Sequence, residues 1–206
     1  MNAGLLVLAY LLGSIPFAVL VSRAMGLPDP RGFGSGNPGA TNVLRSGSRV
    51  GALLTLLGDA GKGALAVGVA LLLADPAEGG GATRLAIASW CGALAFLGHV
   101  APVFLRFRGG KGVATFLGTL LAIAPLLGLA ACLTWLVVAL AFRYSSLASI
   151  VSAIVATALS VYFADAPARL AAITFMAAIL VYRHRRNIAQ LIAGTEGRIG
   201  QKSKGA

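Results

Sequence analysis

Charge is what this chain has least of. Only 11% of its 206 residues are charged, and only six are acidic, where a soluble domain carries about 25% charged residues. That shortage excludes a water-soluble globule. It does not signal disorder, because 58% of the residues are hydrophobic and disordered chains are poor in apolar side chains. Cysteine is nearly absent too. Cys91 and Cys132 both lie inside apolar runs, are read as buried small hydrophobes and say nothing about redox compartment. The two histidines and six carboxylates form no cluster with metal-ligand spacing, so no metal and no other cofactor is expected. No basic stretch precedes the first apolar run, and the first positive charge, Arg23, follows it. A cleaved signal peptide has the opposite polarity.

What is present is apolar length. The runs Leu5–Val21, Ala64–Leu73, Leu85–Leu105, Phe116–Phe142 and Ile150–Phe163 point to a lipid bilayer as solvent. Spans of about 20 residues would use nearly the whole chain, so residues 1–206 are read as a single polytopic membrane domain. The net charge of +11 would suggest nucleic acid in a soluble protein. Here it is read as the cytoplasmic bias of basic loops, with no nucleic-acid partner.

Charge also sets the expected topology. The segments Arg23–Arg49, Arg106–Gly112, Arg143–Ser146 and the tail from Arg183 hold 4, 3, 1 and 6 Lys or Arg, which is 14 of the 17. These belong inside, and the Asp75–Arg84 and Asp165–Arg169 segments outside. The apolar stretch between Lys111 and Arg143 must then cross twice, as two short helices, roughly Val113–Ala124 and Pro125–Phe142. As one helix its ~30 residues would run ~45 Å, too long for a ~30 Å hydrocarbon core. The expectation is an all-α integral membrane protein of seven transmembrane helices, some short, N-terminus outside and C-terminus cytoplasmic. An amphipathic or re-entrant piece in the fourth or fifth position is an open alternative.

That topology gathers the unusual polar sequences on one side. The first is Gly34-Ser35-Gly36-Asn37-Pro38-Gly39-Ala40-Thr41-Asn42, then Arg45. Glycines let backbone N–H groups approach an anion, Ser35, Asn37, Thr41 and Asn42 add donors, and Arg45 offers a planar fork suited to phosphate. A flexible turn-rich loop would share this composition. The second is Gly109-Gly110-Lys111-Gly112 at the entry to a helix, half of a phosphate-binding loop placed where the helix dipole favours anions. It is no Walker A sequence, since Leu105 stands where a glycine is needed and Val113 where Ser or Thr is needed. The third is Arg183-His184-Arg185-Arg186-Asn187 with Gly194-Thr195-Glu196. If the last span continues helically, His184 and Asn187 share a face, while the arginines serve topology. Asp59 and Lys62 are i, i+3 neighbours read as a structural ion pair within the second span. His99 is expected to donate to a backbone carbonyl. Neither histidine has an acid five residues on, so the His-x4-Asp dyad of thioester-dependent glycerolipid acyltransferases is missing.

These residues resemble the bacterial PlsY family of glycerol-3-phosphate acyltransferases, which use acyl phosphate as donor. The likeness is carried by Gly13-Ser14-Ile15-Pro16-Phe17, the Gly34–Asn42 segment with Arg45, and Gly98-His99. Pro102-Val103-Phe104-Leu105, Gly109–Thr115, Arg143-Tyr144 with Ser149, and His184, Asn187 and Gly194-Thr195-Glu196 complete it. Arg108 and Gln190 depart from the more usual Lys and Arg. The resemblance implies seven membrane helices and acyl transfer from acyl phosphate to the sn-1 hydroxyl of glycerol 3-phosphate, giving lysophosphatidate and phosphate at the entry to phospholipid synthesis. It implies catalytic roles for Ser35, Arg45, Lys111, His184 and Asn187. Substrate-phosphate contacts would come from Gly36, Asn37, Gly39, Thr41, Asn42, Gly109, Gly110, Gly112 and Ser149, and Glu196 would be structural. It also implies a bacterial inner-membrane location with a cytoplasmic active site, and a functional link to an enzyme that makes acyl phosphate.

A small membrane transporter of a phosphorylated metabolite is the main alternative, because basic loops over a helix bundle could bind phosphate there as well. It would need polar residues through the midplane and commonly internal repeats. Only Asp59 and Lys62 sit deep, and the two halves of the chain align no repeat. A non-catalytic scaffold for other lipid enzymes is a weaker third reading.

Overall fold

A computed structural model describes residues 2–74, 80–163 and 166–200, and those residues are helical throughout their ordered elements. In chain order the helices are α1 (Asn2–Gly13), α2 (Phe17–Ala24), α3 (Ala40–Arg45), α4 (Arg49–Leu73) and α5 (Gly80–Val100). A 3-10 turn at Val103–Leu105 precedes α6 (Val113–Ile123), α7 (Pro125–Phe142), α8 (Ser145–Tyr162), α9 (Pro167–Arg183) and α10 (Arg185–Ile192). Four of the helices are long and apolar enough to cross a membrane, five if α1 and α2 count as one bent span.

The break at Pro125 falls where length and sequence require it. Pro125 opens α7 at its first turn, where a missing N–H costs nothing. The first apolar run, in contrast, is not one straight helix. It bends by 43° between α1 and α2, because Pro16 lacks a backbone N–H and its ring obstructs the preceding turn. The Leu12 carbonyl, which an N–H at residue 16 would have met, accepts from the Ile15 N–H at 3.2 Å instead. The Asp75–Arg84 and Asp165–Arg169 segments lie partly outside the described residues. The described part of the former belongs to α5, which already begins at Gly80.

α5 is the most buried of the long helices and forms the centre, flanked by α1, α4, α6 and α9. One apolar cluster joins Phe96, Phe116, Leu120, Ile173, Met176 and Leu180, and a second joins Leu5, Val67, Cys91 and Ile123. Helices approach closely at several glycines, where no side chain stands between them. A Cβ on Gly118 of α6 would strike the Ala60 backbone of α4, and close packing of this kind is a main source of helix association in lipid. Gly118→Val should therefore force α4 and α6 apart, and overpacking of this type costs about 1–3 kcal/mol. Gly68→Ala meets nothing within 4 Å and should leave stability level or slightly improved. Melting curves of the two variants in one detergent test the contrast.

Candidate functional site

The irregular segments meet at one end of the bundle, where α4, α6, α8 and α10 begin and α2, α5, α7 and α9 end. The Ser35 segment is held from within by Asn42. Its buried side chain donates Nδ2 to the Pro30 carbonyl at 2.6 Å and to the Phe33 carbonyl at 3.1 Å. Its Oδ1 accepts from the Ser35 N–H at 3.1 Å and from Arg45 Nη1 at 3.4 Å. Asn42 thus shapes the loop, while Ser35 and its glycine neighbours stay exposed. Thr41 Oγ1 lies 3.5 Å from Ser145 Oγ and connects the loop to the start of α8.

The glycine segment is a chain reversal folded back into the bundle. After the 3-10 turn, Arg106 and Phe107 take left-handed conformations (φ 50° and 62°), which cost roughly 1–2 kcal/mol each for residues with a Cβ. The reversal returns Gly109 and Gly110 to a buried position against the end of α5. Gly110 N–H donates to the His99 carbonyl at 3.1 Å. A Cβ on Gly109 would collide with the His99 and Val100 carbonyls, and one on Gly110 with the His99 ring. Gly112 caps α6 at φ +87° with the Phe96 ring where its side chain would stand, so glycine is required on both counts.

Lys111, between these glycines, donates to Asn187 Oδ1 at 2.6 Å. The Asn187 amide points this way because its Nδ2 donates to both oxygens of Glu196, at 2.8 and 3.1 Å. Glu196 also accepts from Ser146 Oγ at 2.6 Å. A single chain of hydrogen bonds therefore runs from the glycine segment through α10 and the C-terminal segment to α8. Burial lowers the Lys111 pKa, Glu196 pulls it back up, and Arg45 and Arg183 lower it further.

His184 is buried at a joint between two helices, not within one. α9 ends at Arg183 and α10 starts at Arg185, so the last span does not continue helically through His184 to Asn187. The ring Nδ1 lies 2.8 Å from the Leu180 carbonyl. Burial pushes this imidazole down to about 4, with the Leu180 bond opposing and Lys111 reinforcing. A neutral ring that donates from Nδ1 leaves Nε2 as a bare acceptor.

Arg183 does more than mark topology: its Nη2 donates to the Gly109 carbonyl at 2.9 Å and clamps the glycine segment. Sequence offered only its adjacency to His184 as a clue. Ser149 donates to the Ser145 carbonyl at 2.7 Å and accepts from Trp135 Nε1 at 3.1 Å, which occupies its hydroxyl within the α7–α8 pair. His99 faces Asp59 instead of a backbone carbonyl, with Nδ1 3.3 Å from Oδ1, and Asp59 pairs with Lys62 at 2.9 Å.

Arg45 and Arg183 thus lie within electrostatic reach of Lys111, as does the Glu196 carboxylate, which Asn187 and Ser146 already engage. Such a surface attracts phosphate and offers amide and hydroxyl donors to orient it. Among the described residues no group of three or more His, Cys, Asp or Glu could hold a metal ion.

Comparison with known proteins agrees with this chemistry. A family model described as glycerol-3-phosphate acyltransferase matches residues 3–194. The glycerol-3-phosphate acyltransferase of Laribacter hongkongensis (strain HLHK9) is 59% identical over 200 residues, covering 97% of this chain and 96% of the relative. That of Bordetella pertussis (strain Tohama I) is 54% identical over 206 residues, covering 98% and 93%. A crystal structure of PlsY (YgiH), an integral membrane glycerol 3-phosphate acyltransferase, in its glycerol 3-phosphate form, superposes with a TM-score of 0.86 at 38% identity. It covers 97% of this chain and 96% of that one. The lysophosphatidic acid form gives 0.85 at 37% identity, with coverages of 97% and 95%. Matched in sequence and in fold across nearly its whole length, the chain is a multi-pass membrane protein that belongs to the glycerol-3-phosphate acyltransferase family.

Proposed function

We propose that this protein transfers a fatty acyl group from acyl phosphate to the sn-1 hydroxyl of glycerol 3-phosphate, releasing lysophosphatidate and inorganic phosphate. The observation that carries the reading is the Lys111–Asn187–Glu196 chain beside Arg45 and Arg183, in a fold whose solved relatives are a glycerol 3-phosphate form and a lysophosphatidic acid form. Both substrates carry phosphate, and their mutual repulsion is the first obstacle to bringing them together. Lys111, Arg45 and the donors around Ser35 reduce it. The whole chain, residues 1–206, acts as one catalytic domain.

The sn-1 oxygen attacks the acyl carbonyl carbon, the carbon–oxygen bond to phosphate breaks, and the hydroxyl proton leaves with the phosphate. The donor is an activated mixed anhydride, so no covalent enzyme intermediate is required. Burial holds the His184 imidazole well below its ordinary range, which makes the ring a poor proton acceptor, and the departing phosphate, whose basicity rises as the anhydride bond breaks, takes the proton. Ser35 and the nearby N–H groups stabilise charge developing on the carbonyl oxygen, and Asn187 aligns Lys111. The acyl tail enters from the bilayer between apolar helices.

The topology that belongs to this proposal has seven crossings, with the N-terminus outside, the C-terminus in the cytoplasm and Lys111 on the cytoplasmic face of the bacterial inner membrane. An acyl-phosphate-producing enzyme would act on the same side. Arg169 at the start of α9 donates to the Ile123 carbonyl at 3.5 Å, which supports the α6–α7 turn lying at the far end.

Purified protein should turn over acyl phosphate with glycerol 3-phosphate and fail with acyl-CoA or acyl carrier protein as direct donor. Robust activity with acyl-CoA would overturn the donor assignment, and binding without turnover would favour a transporter. Lys111→Gln removes a charge-assisted hydrogen bond worth roughly 1.5–3 kcal/mol. The KM for glycerol 3-phosphate should therefore rise by at least about tenfold, with only partial rescue in Lys111→Arg. Unchanged kinetics in the Gln variant would reduce Lys111 to a topological charge. In a cysteine-free background, single cysteines at Ser46 and Gly197 should label only from the cytoplasm and one at Gly81 only from outside. External labelling at Gly197 contradicts the seven-helix arrangement.

A further inference from the structure

Asp59 and Lys62 on α4 and His99 on α5 are all buried, at a depth where unpaired charge is costly. They touch two irregular segments at once. On one side, Lys62 donates to the Ile15 carbonyl at 3.0 Å in the break between α1 and α2, with its ammonium 6.0 Å from the Phe17 ring centre. On the other, the His99 carbonyl accepts from Gly110 N–H and its ring fills the space beside the Gly110 Cα. Asp59 joins them, 2.9 Å from Lys62 and 3.3 Å from His99. Two neighbouring bonds reinforce the link, Tyr10 OH to the Ala101 carbonyl at 2.8 Å and Val103 N–H to Ser14 Oγ at 3.4 Å.

Between these groups lies only a small gap of about 10 Å³, lined by Ser14, Asp59, Lys62, His99, Gly109 and Gly110 among others, room for about one water. The polar links therefore act together with the close glycine contacts to hold the segment on this side. We infer that Asp59, Lys62 and His99 are positioning residues, which hold Gly109–Gly110 in register with the break in the first span and thereby set where Lys111 meets the phosphate of glycerol 3-phosphate. The inference rests on the acyl-transfer reading above and extends it to residues that touch no substrate. A merely structural ion pair would affect melting alone. A positioning network also changes glycerol 3-phosphate binding while sparing the acyl donor, whose contacts are assigned to the Ser35 loop.

The test uses the full-length protein in detergent, with melting temperature and both KM values measured for each variant. D59N/K62M removes the two charges together and leaves neither one buried alone. It should raise the KM for glycerol 3-phosphate by about fivefold or more and move that for acyl phosphate by less than about twofold, since small displacements at a binding group carry large kinetic effects. A lowered melting temperature with both KM values unchanged would overturn the inference. H99Q, which loses the ring beside Gly110 but keeps the Asp59–Lys62 pair, decides the matter if the double variant does not insert. The same selective rise supports the proposal, and unchanged constants refute it. Should the wild type show no turnover, the acyl-transfer reading has failed by itself. The melting shift produced by added glycerol 3-phosphate then compares wild type and H99Q without catalysis, and an equal shift in both refutes positioning.

Discussion

Hydrocarbon offers no hydrogen-bond partner to a peptide group, and the irregular stretches among the described residues are arranged around that fact. The glycine segments, the 3-10 turn, α3 and the joint at His184 all collect at the same end of the bundle. The break after Gly13 lies elsewhere, and its Ile15 carbonyl receives the Lys62 ammonium as well as the Phe17 N–H. Lys111 sits among the glycine segments, so the same end of the bundle that holds the irregular backbone also offers a cation to an anion.

Electrostatics then shape the surroundings of Lys111. Asn187 and Ser146 occupy the oxygens of Glu196, which orients the Asn187 amide, while Arg45 and Arg183 add positive charge beside Lys111. The left-handed residues at Arg106 and Phe107 are strained, and the strain is offset by the contacts that the returning Gly109–Gly110 makes with His99, Val100 and Arg183.

Features encoded by neighbouring residues were legible in the sequence. Gly109-Gly110-Lys111-Gly112 announced a helix start with a cation among glycines, and Pro125 announced the break between two short helices. Features made by residues far apart were not. Arg183 meets the Gly109 carbonyl across 74 residues, and Ser146 meets Glu196 across 50, distances over which one sequence carries no pairing signal. Asn42 looked like a phosphate donor because amides in glycine-rich loops often are, yet its four polar contacts are within its own loop and α3. The bend at Pro16 was present as a proline within an apolar run, but uniform hydropathy masked it. The joint at His184 has no proline or glycine to mark it at all.

The C-terminal segment closes the site in a way that bears on biosynthesis. Beyond α10 the chain returns along the α7–α8 turn, where Ile199 N–H donates to the Arg143 carbonyl at 2.7 Å and Arg143 Nη2 to the Ile199 carbonyl at 2.9 Å. This return brings Glu196 to Asn187. A membrane chain is made from its N-terminus, so Lys111 emerges from the ribosome long before the acceptor that orients it. The contacts that orient Lys111 can therefore form only once the last helix and the segment behind it have been synthesised.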